Sequence, residues 1–211
     1  MNNKQEKANG MNKILVGALA AMVAGAVWAQ EPDMEAMMKA LTGAAQSQQG
    51  AGAAAMVSPK ALKDLLPQAV PGFERVEAGS EKQSAFGIST VTATGVYESG
   101  DKSIRIELTD MGGMGGLGAM AMMGMANNEV DKETRTGFER TTTLQGFKAL
   151  ETYDSASKSG ETQVFVGSRF SVKVNGSELA SFDELSAAVA ALNLKALSEL
   201  KPEAPAAAPA Q

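Results

Sequence analysis

The chain of 211 residues sets 19 Lys and Arg against 24 Asp and Glu, a formal charge of −5, and it contains no His and no Cys. Those two absences exclude disulfides, thiol nucleophiles and imidazole as general base or metal ligand, so packing and hydrogen bonds must hold the fold. The acidic balance, with no basic run after residue 29, argues against a nucleic-acid surface, which needs concentrated positive charge.

Residues 1–29 read as an export signal. Lys4, Lys7 and Lys13 make a basic start, Ile14 to Ala29 carries no charge, and Val27 and Ala29 fit the small-residue rule for cleavage before Gln30. The competing reading is an uncleaved anchor, but this apolar run is shorter than the ~20 residues that span a bilayer. Cleavage removes three lysines and one glutamate and moves the formal charge to about −7. The expectation is a periplasmic or secreted protein with no membrane span after cleavage.

Residues 30–57 read as an amphipathic helix followed by a flexible linker. Met34, Met37, Met38 and Leu41 recur at helical spacing, which makes one apolar stripe and a candidate partner contact. Residues 43–57 are rich in Gly, Ala and Gln without a sustained period. Ser58-Pro59 then opens the domain proper, 58–200, as N-cap and first helical residue, with Leu62, Leu65 and Leu66 on one side. Pro67 and Pro71 close that helix.

Strand signals follow at 73–78, 85–98 and 102–109. In the last of these Ile104, Ile106 and Leu108 alternate with Ser103, Arg105 and Glu107, giving one wet and one buried face. After a Gly/Met-rich insert at 111–126, strands at 138–144 and 147–153 flank Gln145-Gly146, a two-residue hairpin connection. A second pair, 162–166 and 169–174, flanks Gly167-Ser168, with Phe170, Val172 and Val174 toward the core. Asn175-Gly176 is read as the end of the last strand. Ser181-Phe-Asp-Glu184 is a capping box, and the helix after it places Phe182, Leu185, Val189 and Leu192 on one face, extended by Leu194, Leu197 and Leu200. Residues 201–211, an Ala/Pro tail, are too simple to fold.

This order predicts an α+β fold, an antiparallel sheet of about six to seven strands with helices packed on it. Over residues 58–200 the element order resembles the PsbP-like fold, a sandwich in which small exported domains pack helices on an antiparallel sheet. The stretches TTTLQGFKALETYD and DELSAAVAALNLKAL are similar to those of uncharacterised exported bacterial proteins. What the resemblance implies is a fold and a location, without a chemistry.

The insert admits several readings. Gly113 to Gly118 match G-x-G-x-x-G, but the alternating strand before it and the hairpins after it do not make the parallel unit that a dinucleotide site requires. Met111, Met114, Met120, Met122, Met123 and Met125 lie within fifteen residues, and thioethers favour Cu(I), so a Cu(I)-binding protein is one alternative. Methionine also fills gaps in cores and makes adaptable surfaces. Leu117, Met120 and Met123 share a stripe fit for packing or for a partner protein or small apolar ligand. Elsewhere, Ser155 to Lys158 match S-x-x-K only as a polar hairpin loop, and Glu129, Asp131 and Glu133 read as a solvated strand edge. Asn175-Gly-Ser177 matches a glycosylation acceptor that a turn already explains. With no cofactor motif and no catalytic set, the expectation is a non-enzymatic binding domain.

Overall fold

A short helix forms where Ser58-Pro59 predicts it: α1 spans Pro59–Asp64, with Leu62 and Leu66 buried beneath it. Residues 55–85, 88–114, 120, 124, 127 and 129–203 are described in this computed structural model, all within the unit Gly43–Gln211. After α1 come four strands, β1 (Ala69–Val70), β2 (Phe73–Ala85), β3 (Ile88–Ser99) and β4 (Lys102–Asp110), then a 3-10 turn at Gly112–Met114. Five more follow: β5 (Asp131–Glu133), β6 (Gly137–Leu144), β7 (Phe147–Asp154), β8 (Ser159–Val166) and β9 (Phe170–Ser177). Helices α2 (Phe182–Ala190) and α3 (Leu194–Ser198) end the order.

The nine strands form one open antiparallel sheet in the order β1-β2-β3-β4-β9-β8-β7-β6-β5. This overturns the expected α+β sandwich of six to seven strands. The α-helices whose bounds lie among the described residues have six, nine and five residues, too short to make a second layer, and the sheet dominates. One strand escapes sequence reading: β1 has two residues and no alternation, whereas β5, three charged residues, all exposed, lies where Glu129, Asp131 and Glu133 read as a solvated strand edge. The second half of β2, GSEKQSA, has no apolar pattern and is extended because β3 pairs with it throughout.

Register explains the core. Ile104, Ile106 and Leu108 stand beside Gly176, Val174 and Val172 across the β4–β9 seam, and Ala93 and Val91 continue the same face on β3. Leu185, Val189, Leu194 and Leu197 join these side chains in one apolar cluster. At ~25 cal/mol per Å², this single face carries the fold's main stabilisation. Gly95 leaves room for the neighbouring in-phase Tyr97, whose ring would lie 2.9 Å from a Cβ there. The Tyr97 hydroxyl donates to the Pro67 carbonyl at 2.7 Å and pins the exit of α1. Burial raises the pKa of Tyr97, with the nearby Arg75 charge acting in the opposite direction.

Three smaller expectations change. Asn175-Gly176 does not end β9, which continues to Ser177, because a Cβ at Gly176 would meet Leu179 at 2.6 Å and glycine lets that leucine cover the strand. The capping box is reset by one residue on each side: Ser181 Oγ accepts from Asp183 N at 3.3 Å, and Glu184 Oε2 accepts from Ala180 N at 2.8 Å. The last helix is two, because Asn193 caps α3 by accepting from Ala196 N. The β6–β7 turn is as predicted, with Gln145 at φ 50 and Gly146 at φ 86, both left-handed as a type I′ turn requires. A glutamine at such φ is uncommon, and its amide compensates: Nε2 donates to the Val189 and Leu192 carbonyls at 3.3 and 2.9 Å. The turn thus holds the end of α2 against the sheet.

Candidate binding site at the sheet edge

The chain leaves the sheet at its centre, after β4, and rejoins it at the far edge, in β5. Strands β9, β8, β7 and β6 lie between, five strand spacings or about 24 Å. The departure point is built around Asp110. It follows Leu108 in phase on the core face and is fully buried, where a bare carboxylate is costly. Arg169, in the β8–β9 turn, donates Nε to Oδ1 and Nη2 to Oδ2, both at 2.7 Å. Val57 N donates to Oδ2 at 2.9 Å and Gly112 N to Oδ1 at 2.8 Å. Arg169 Nη2 also donates to the Ala55 carbonyl at 2.9 Å. One bidentate ion pair thereby ties together the entry of the domain, β4 and the turn after it.

The glycines here serve close packing. A Cβ at Gly112 would lie 2.9 Å from the Arg169 guanidinium, and one at Gly113 only 2.2 Å from the Ser89 carbonyl oxygen. Gly113, first glycine of the G-x-G-x-x-G pattern, is thus committed to backbone contact. All pairings among the described strands are antiparallel, so no parallel unit frames that pattern.

Of the methionines singled out in the insert, Met111 and Met114 are half-buried in the turn, where Met111 N donates to the Arg169 carbonyl and Met114 N to the Met111 carbonyl. Met120 is 72% exposed. Met34, Met37, Met38, Leu41, Leu117, Met122, Met123 and Met125 lie outside the described residues. A further thioether escaped sequence reading: Met56, buried, has its sulfur 2.7 Å from where a Gly113 Cβ would sit. Its place in a low-complexity stretch gives no signal of this. Among the described residues, no three His, Cys, Asp or Glu side chains gather as metal ligands.

The point of return is lighter. Val130 N donates to Thr141 Oγ1 at 3.0 Å, Thr141 N donates to the Val130 carbonyl at 2.7 Å, and β5 then pairs with three residues of β6. Glu129, Asp131 and Glu133 form the exposed rim that the sequence suggests. Next to them a cleft of about 640 Å³ is lined by Glu129, Val130, Asp131, Arg140, Thr141–Thr143 and Lys148. An adjoining recess of about 140 Å³ shares Val130, Thr141 and Lys148 and adds Leu150 and Phe165.

Phe165 is the side chain that sequence analysis overlooked here. Val164 and Val166 point to the core, so Phe165 between them points to the opposite face, yet it is only 7% exposed and stands outside the core cluster. The signal lay in the run Val164-Phe165-Val166, whose unbroken apolar character marks burial on both faces. On the core side of the same strands, Arg140 Nε donates to the buried Glu151 at 2.8 Å and its guanidinium lies 4.5 Å above the Phe138 ring. Phe138 in turn meets Phe182 edge to face at 4.9 Å, which ties the β6 edge to α2.

The S-x-x-K loop has no paired nucleophile and base. Ser155 Oγ donates to the Thr136 carbonyl at 2.6 Å, while Lys158 Nζ reaches Glu178 at 3.3 Å. Among the described residues, no helix is long and apolar enough to cross a membrane. No family model, curated protein or solved structure matches the chain.

Proposed function

We propose that the chain is an exported, non-enzymatic binding domain whose Gly/Met-rich connection between β4 and β5 is its adaptable contact surface, for a protein partner or a small apolar ligand. The observation that carries this reading is Met120, a large apolar side chain left 72% exposed within a segment whose two ends are held by the sheet. An exposed thioether on a flexible side chain gains from burial against many shapes, so it favours association without demanding one rigid partner. The lack of His and Cys throughout, together with the separate engagement of Ser155 and Lys158, supports binding over catalysis.

The test places a photoreactive amino acid at position 120 and, as a comparison, at the exposed Lys60 on α1, in cells producing the full chain. Mass spectrometry then looks for protein adducts and for adducts of lipid size. A product formed from position 120 and not from position 60 supports the reading. Identical products from both positions, or none from 120, overturn it.

A further inference from the structure

Phe165, Leu150 and Val130 give the recess beside β6 an apolar floor on the face that otherwise carries Thr, Ser, Glu and Lys side chains. Lys148 stands at the junction of recess and cleft, half-buried, and no carboxylate of the described residues lies within ion-pair distance of it. The other charges nearby are committed or exposed: Arg140 to Glu151, Glu139 to Lys132 at 3.1 Å, and Glu129 and Asp131 on the rim.

We propose that this cleft binds a small amphipathic monocarboxylate, an acid with one charged head and an apolar tail. The head pairs with Lys148, and the tail lies over Leu150 and Phe165. A half-buried lysine without a counter-charge gains from a carboxylate, since the apolar floor of the recess beside it weakens solvent screening. The rim acids set the selectivity, because a second negative charge on the ligand would face Glu129 and Asp131. The cleft's volume of about 640 Å³ falls in the range usual for small-molecule sites, and the recess of about 140 Å³ extends it. This assignment rests on the binding reading above and gives its small-ligand form a chemical class, at a place that does not involve Met120.

Octanoate is the probe, titrated into the full chain by calorimetry below its micelle concentration, with 1-octanol as the uncharged counterpart and suberate as the two-headed one. Amide chemical shifts locate the site. Octanoate should move the signals of residues 130, 141, 148–150 and 165 and bind about tenfold more tightly than either 1-octanol or suberate. Lys148→Gln should remove that preference over 1-octanol while leaving 1-octanol binding within about twofold. Leu150→Gln, on a half-buried side chain, should weaken octanoate and octanol alike. Failure of octanoate to bind, shifts elsewhere on the sheet, or equal loss for both probes in Lys148→Gln overturns the site. If position 120 still crosslinks specifically, the binding reading survives that failure; if it does not, both fall.

Discussion

The two ends of the β4–β5 connection are held in different ways. At residues 110–114 a fully buried carboxylate accepts four hydrogen bonds, two of them from one guanidinium, and two glycines bring the backbone against Arg169 and Ser89. At residues 129–131 there are two hydrogen bonds to Thr141 and a three-residue edge strand open to solvent. The stitched end can open without disturbing the welded one. Local opening is therefore concentrated at the sheet edge, where the cleft lies.

That contrast can be broken most severely at the welded end. Asp110→Ala strips the ion pair from Arg169 and frees the amides of Val57 and Gly112. Removing one partner of a buried pair should cost about 3 kcal/mol, at the low end of the usual range because Arg169 retains 25% exposure. Urea denaturation reads this directly, and a loss under about 1 kcal/mol would mean the knot is ornamental.

At the stitched end the expected effect is smaller. Thr141→Val removes the acceptor for Val130 N and should cost about 1 kcal/mol, with faster hydrogen exchange at Val130 and unchanged exchange at Gly112. Equal acceleration at both amides would show that the two ends open together. The smallest effect belongs to a pair that touches neither end: Lys102 Nζ meets Glu184 Oε1 at 2.5 Å. The hydrogen bond from Lys102 lowers the pKa of Glu184, opposed by partial burial. A depressed folded-state pKa gives stability that is present above the ordinary carboxyl range and lost as pH falls through the folded value. Glu184→Gln should therefore melt lower than the parent near neutral pH, with the gap closing in acid. A gap independent of pH would assign the effect to the helix cap at Ala180 instead.

Most of the sheet was legible because alternation is a local signal. Ile104, Ile106 and Leu108, and Phe170, Val172 and Val174, announce their face without help from the rest of the chain. The β6–β7 hairpin was legible because Gln145-Gly146 leaves a two-residue connection between two strand-like runs. What could not be read lacks a periodic pattern of its own: β1 exists only through its pairing with β2, and the expected helical layer shrank once Asn193 split it. Asp110 was half legible, as a charged residue in phase with three core residues, which demands a buried counter-charge without saying where it comes from. The cleft required the register of four strands, since Val130, Leu150 and Phe165 meet only after β5, β6, β7 and β8 align.

The strand order carries a kinetic corollary. Each flank of the sheet can zip from neighbouring hairpins, whereas the central seam joins Asp110 to Phe170 across 59 intervening residues, so its closure bears the largest loop entropy and should limit the folding rate. A chain cut between residues 115 and 128 would yield two fragments, each ending on one side of that seam, that reassemble by β4 finding β9.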